Sequence, residues 1–208
     1  MTSGPVATAA LLAAWLVAPA ALASSSADEL VRQARAHEAA HEDDVAARRY
    51  MEALTIEPTN AAAWMGLGAL RMKLGDASEA ERVYSSALDR ISSLPGALEG
   101  RARARWALGR HGEAEADLDG YATAQASASA LRELAAWYGL DGRAPAQLAT
   151  WRRLLAMARE QVDAASEREA RRMVRALVVV VDGADPASSP VDPDSARRAL
   201  ATIAKRGG

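Results

Sequence analysis

The chain of 208 residues contains no cysteine and no phenylalanine. The first absence removes disulfides, thiolate catalysis, cysteine zinc sites and a lipid anchor on an N-terminal cysteine. The second belongs to a wider scarcity: aromatic residues are 4% of the chain, although half of it is apolar and much of that half is alanine. A core made of such small side chains needs close approach of its backbones, which suits packed helices better than stacked sheets. No charge of one sign dominates either. A formal net charge of −2 gives no bulk electrostatic reason to bind nucleic acid or an anionic membrane. Also missing are a glycine-rich phosphate loop, a G-x-S-x-G elbow and any nucleophile placed beside a convincing base. The expectation is an all-α protein that is not an enzyme, with no cofactor, no resident metal, no catalytic residues and no small-molecule substrate.

The one long apolar run is at the N-terminus, residues 6–23, ending in Ala21-Leu22-Ala23 before three serines. It has the form of a secretory signal peptide with an Ala-x-Ala cleavage site, although its leading segment lacks Lys and Arg. Pro19 and the small-residue end make it a poor membrane span. The expected organisation is a leader over 1–23, a repeat domain over 24–160 and C-terminal capping helices over 161–208, exported to a periplasmic or extracellular space.

Ala61 to Pro95 organises the rest. Trp64, Leu67, Gly68 and Leu70 fall on one side of a first helix, and Ala80, Tyr84, Ala87 and Leu88 form a stripe on a second, with Gly75-Asp76 between them. Large residues alternate with small ones, so Trp64 and Tyr84 fill space that Gly68, Ala80 and Ala87 leave open. This stretch resembles the tetratricopeptide repeat, whose W-x-x-L-G and A-x-x-x-F/Y positions are matched by Trp64, Leu67, Gly68, Ala80 and Tyr84. Shifting back by one period of about 34 residues aligns Ala46, Tyr50 and Ala53 with Ala80, Tyr84 and Ala87. Shifting forward aligns Leu98, Arg101-Ala102, Leu108-Gly109 and Ala114. A fourth, degenerate hairpin carries Leu131, Leu134, Tyr138 and then Trp151 and Leu154, with Gln147 where a small residue is expected. The resemblance implies an α-solenoid of three to four helix-turn-helix repeats. The charges of the third repeat, Arg101, Arg103, Arg105 and Arg110 against Glu113, Glu115, Asp117 and Asp119, are expected to pair within that hairpin or to face water.

A long amphipathic helix is expected from Val162 to Val181, with Val162, Ala165, Met173, Val174, Leu177, Val178 and Val181 as its apolar stripe, covering the end of the array. The four valines at 178–181 also suit a short strand, for which no second strand is available. A proline-rich loop and a last helix from Asp194 or Ser195 follow.

His37-Glu38-Ala39-Ala40-His41 matches the H-E-x-x-H of zinc metalloproteases letter for letter. That chemistry requires both histidines on one helical face with the glutamate polarising a water. The repeat register ends the first helix near Ala40 and puts His41 in a turn, and no third ligand is evident. Function is expected instead where the resemblance implies it, on the concave face lined by the first helix of each repeat. The register puts Arg35, Met65, Met72, Arg103, Trp106 and Arg132 there, as a groove for an extended peptide or a helix of a partner protein. Trp and Arg dominate many binding energies, and methionines add an adaptable apolar floor. The clamp for acidic chain ends needs Lys and Asn on these helices. Val31, Gly66, Gly96 and Gly100 stand near those places, which disfavours a chaperone co-factor.

Overall fold

A computed structural model of the chain describes residues 26–182, and every regular element among them is a helix. In order they are α1 (26–39), α2 (Asp43–Ile56), α3 (Ala61–Lys73), α4 (Ala77–Arg90), α5 (Pro95–Ala107), α6 (His111–Gln125), α7 (Ala128–Leu140), α8 (Ala144–Glu160) and α9 (Ala164–Asp182). The expected leader and the expected last helix lie outside the described residues. The chain divides into two compact units, Met1–Ala114 and Glu115–Gly208, and the division falls inside α6.

Each hairpin turns by the same device. The second residue past the first helix takes a left-handed conformation at His41 (φ 60°), Gly75 (78°), Gly109 (76°) and Gly142 (68°). The amide that follows then reaches back five residues to the end of the helix, as Asp76 N–H does to the Arg71 carbonyl at 2.9 Å and Arg143 N–H to the Tyr138 carbonyl at 2.8 Å. This satisfies carbonyls that the helix leaves open, and glycine holds the conformation without a Cβ penalty. Some helix starts carry side-chain caps: Asn60 Oδ1 accepts from Ala63 N–H at 2.9 Å and Asp76 Oδ1 from Glu79 N–H at 3.1 Å.

In the first unit the repeat positions become the core. Ala46, Ala53, Ala80 and Ala87 are wholly buried, and Tyr50 and Tyr84 nearly so. A Cβ built on Gly66 would stand 2.4 Å from the Tyr50 ring. One on Gly68 would stand 2.5 Å, and one on Gly100 2.3 Å, from the Tyr84 ring. Each tyrosine of a second helix therefore fills the hollow left by a glycine on the first helix of the next hairpin. Burying a ring of this size contributes roughly 2–3 kcal/mol, and the glycines make the approach possible.

The second unit packs α7 on α8 and α8 on α9. Its buried side chains include Leu131, Leu134, Trp137, Leu148, Trp151, Leu154, Met173 and Leu177. Gln147 is buried too, and its amide nitrogen lies 2.6 Å from where a Cβ on Gly139 would be. The large and small partners have exchanged helices, so the hairpin closes without the usual alanine.

Two expectations are corrected here. Val162 does not begin the amphipathic helix. It sits in the preceding turn at φ 56° and is 87% exposed. The helix begins at Ala164, capped by Asp163, which accepts from the Ala165 and Ser166 amides at 3.1 Å each. Its buried stripe is Ser166, Ala170, Met173, Ala176 and Leu177, while Ala165 is exposed. The strand alternative at 178–181 also fails, because the helix continues through Asp182.

Candidate functional site

The H-E-x-x-H residues diverge because α1 ends at residue 39. His37 Nδ1 meets Glu42 Oε2 at 2.5 Å, Glu38 Oε2 accepts from the Tyr50 hydroxyl at 2.7 Å, and His41 is exposed in its left-handed turn. The two histidines thus leave the common face that a shared metal needs. Among the described residues no three His, Cys, Asp or Glu side chains are grouped to hold a metal ion. Burial and the Glu38 carboxylate push the Tyr50 phenol well above its ordinary range, while Arg35 opposes the shift.

Arg35, Met65, Met72, Arg103 and Trp106 lie on α1, α3 and α5, the first helices of the first unit. Arg35 is exposed on α1. Met65 and Met72 are half-buried against the cluster of Ala80, Tyr84, Ala87, Ala97 and Ala104, and the methyl of Met65 stands 3.2 Å from a Cβ on Gly96. Arg103 is exposed and its guanidinium donates to Glu99 at 2.8 Å. Trp106 is half-buried, its ring stacked on the His111 imidazole at 3.9 Å between centroids and 14° between planes. That stacking fixes the indole at the end of α5 while leaving part of it open. Arg132, on α7 of the second unit, donates to Glu169 at 2.7 Å and to the Ser166 hydroxyl at 2.7 Å.

The charges of the third repeat pair within their own hairpin, as Arg103 does with Glu99 and Arg105 with Glu113 at 3.5 Å, and they also reach the neighbouring hairpins. Arg110 does reach Glu113 at 2.6 Å, but it also reaches Glu81 of the preceding hairpin at 2.6 Å, and Arg105 meets Glu81 at 2.9 Å. In the second unit Glu115 takes Arg143 at 2.6 Å, and Asp119 takes Arg153. Glu115 stands one period beyond Glu81. Arg110 and Arg143 both precede a second helix at the place where Asp76 caps α4. An arginine there cannot accept from the helix amides, and it bonds back to the preceding glutamate instead.

A feature that the sequence reading missed lies on the other side of the first unit. The second helices α2 and α4 flank an open groove of about 610 Å³, walled by Met51, Leu54, Pro58, Trp64, Val83 and Arg90 among others. Trp64 Nε1 donates to the Pro58 carbonyl at 2.9 Å, and the Arg90 guanidinium stands 5.9 Å from the indole centroid. Met51 is 45% exposed. Spacing of four along each helix, Met51 to Thr55 and Arg82 to Ser86 to Arg90, marks the faces in the sequence. Nothing local says that the two faces meet.

Residues 39–93 match the family described as Tetratricopeptide repeat. No curated protein matches the chain. Among solved structures, a tetratricopeptide repeat protein from Parabacteroides merdae is similar at 18% identity and a TM-score of 0.62, over 88% of this chain and 68% of that one. MamA from Desulfovibrio magneticus is similar at 16% identity and a TM-score of 0.61, over 88% of this chain and 96% of that one. The first tetratricopeptide domain of Spaghetti (RPAP3), solved with a bound HSP90 peptide, is similar at 21% identity and a TM-score of 0.54, over 57% of this chain and 95% of that one. At these identities the likeness is one of fold.

Proposed function

We propose that this chain, a tetratricopeptide-repeat protein, is a protein–protein interaction scaffold that holds an extended peptide or a helix of a partner. The contact is made along the side lined by the first helices of the first unit, through Arg35, Met65, Met72, Arg103 and Trp106. The observation that carries this reading is the Trp106–His111 stack. A partly exposed indole held rigid by a neighbour loses little freedom on binding, and Trp and Arg in such positions dominate many interfaces. Arg103, exposed on the same helix, adds a cation for a backbone carbonyl or a carboxylate.

The ligand differs from the acidic chain end that a carboxylate clamp takes. At Gly66 and Gly100 the space for a clamp side chain is occupied by the Tyr50 and Tyr84 rings. The leader-like run over 1–23 supports export, with a mature chain starting at Ser24 and membrane association only through partners or a retained leader. N-terminal sequencing of the exported protein checks this, and a start elsewhere contradicts it.

A second reading is a structural adaptor that uses its second-helix side, favoured by the groove beneath Arg90 and beside Trp64. Affinity capture from an envelope extract separates the two. Residues 24–208 serve as bait beside Trp106→Ala, Arg103→Glu and Met51→Glu baits whose helicity is verified by circular dichroism. Partners lost from the first two and kept by Met51→Glu support the first-helix side. The reverse pattern supports the adaptor.

A further inference from the structure

Helix α9 buries Ala170, Met173 and Leu177 and packs against α8. On its opposite face Arg168, Arg172 and Arg175 follow one another at i, i+4 and i+7, and all three are exposed. At 100° per residue this is a single straight row, roughly 10 Å long. The other arginines of the α7–α9 surface are mostly engaged: Arg132 with Glu169 at 2.7 Å, Arg143 with Glu115 at 2.6 Å, Arg153 with Asp119, and Arg159 and Arg171 with Glu167 at 3.1 and 2.6 Å. The row meets no carboxylate among the described residues. Like charges at this spacing repel along a helix, so the row does not serve the stability of α9. Val179, half-buried, continues the same line one turn beyond Arg175.

We propose that this row is a docking surface for an acidic helix of a protein partner, one that presents carboxylates at i, i+4 and i+7 and an aliphatic side chain opposite Val179. The repeat of the arginines along one helical line matches a carboxylate row of the same period. Each guanidinium offers a planar fork suited to a carboxylate. A lipid surface fits less well. A helix bound at a bilayer inserts its apolar face, and the apolar face of α9 is already occupied by α8. A nucleic acid duplex is a competing polyanion for the same arginines, and the test includes it directly. This surface does not depend on the two readings above, which concern α1 to α5.

The test uses the full exported chain at low salt, followed through the arginine Nε–Hε and backbone NMR resonances. Probe one is a synthetic helical peptide with glutamates at i, i+4 and i+7 and a leucine one turn further. Probe two has the same composition with its glutamates spread around the helix. Phosphatidylcholine vesicles containing phosphatidylserine and a short DNA duplex are the other two. The expected result is binding of the first peptide about tenfold tighter than the second, weakening with added salt. Its shifts centre on Arg168, Arg172 and Arg175. The triple variant Arg168→Glu/Arg172→Glu/Arg175→Glu should lose the glutamate peptide and gain a peptide with lysines in the same row. If the triple variant loses helicity, Arg172→Glu alone should still weaken the glutamate peptide. Equal binding of the two glutamate peptides, no shift at low salt, or tighter binding to vesicles or duplex overturns the proposal.

Discussion

At the scale of single residues, the left-handed turn positions are where this chain departs most from what its backbone asks. Gly75, Gly109 and Gly142 meet the demand, but His41 and Val162 carry side chains at φ 60° and 56°. A β-branched residue there is strained by roughly 1–2 kcal/mol. With 87% of Val162 exposed, no burial compensates. Val162→Gly is therefore expected to stabilise the chain by about 1 kcal/mol after the added flexibility of the unfolded state is subtracted. That corresponds to about 2–4 °C in a thermal melt. His41→Gly should act in the same direction and also tests the H-E-x-x-H reading. Zinc content that is unchanged by this substitution and by His37→Ala excludes a metal held by the pair. A fall in melting temperature for Val162→Gly would mean that the turn after α8 is not left-handed.

At the scale of elements, the contact between hairpins rests on a ring set against a missing side chain. Gly100→Ala would put a methyl 2.3 Å from the Tyr84 ring, which is closed in by α3, α4 and α5. A loss of about 1–3 kcal/mol is expected. Gly112, in the first turn of α6 with nothing within 4 Å of its Cβ position, supplies the control. Gly112→Ala is expected to gain roughly 0.5–1 kcal/mol from helix propensity alone. Urea melts of the two variants should move in opposite directions. Asn60→Ala should cost about 1–2 kcal/mol, because Asn60 caps α3 and also donates to Asp28 at 3.2 Å and to Glu57 at 3.0 Å, tying three helices together. Much of this scale was legible in the sequence, since alternation of large and small residues at a fixed period is local information. The Ala46/Tyr50/Ala53 and Ala80/Tyr84/Ala87 triplets gave the helices, their pairing and most of the core. Features that depend on two helices at once were not legible. The exchange of Gln147 with Gly139, the partners of Glu115 and Asp119, and the meeting of α2 and α4 around Trp64 are set by how neighbouring hairpins rotate. Val162 was misread because an apolar residue in helical phase normally belongs to the helix, and the turn it occupies normally announces itself with glycine.

At the scale of the whole molecule, stability has an acid limb and an alkaline limb whose causes lie in different groups. Glu113 is held below its ordinary range by the Arg110 guanidinium, Glu167 by Arg171 and Arg159, and Asp163 by the Ser166 hydroxyl and amide. A carboxyl whose folded pKa is lowered adds stability above its unfolded value and loses it as pH falls through the folded one. The acid limb should therefore begin as pH drops through the ordinary values of 4.5 and 3.8. Tyr50, Tyr84 and Tyr138 are shifted the other way, all three first by burial. A phenol with a raised folded pKa adds stability fully present below its unfolded value of 10.0 and lost as pH rises beyond it. Melting temperature plotted against pH should fall on both sides, and the limbs should respond to different substitutions. Asp163→Asn keeps a cap acceptor but cannot titrate, and with Glu113→Gln and Glu167→Gln it should make the acid limb shallower while leaving the alkaline limb in place. Tyr84→Phe keeps the ring that fills the hollows of Gly68 and Gly100, and should make the alkaline limb shallower while leaving the acid limb in place. An acid limb unchanged in the triple carboxyl variant would assign acid unfolding to other groups. An alkaline limb unchanged in Tyr84→Phe would assign alkaline unfolding to Tyr50, Tyr138 or other groups.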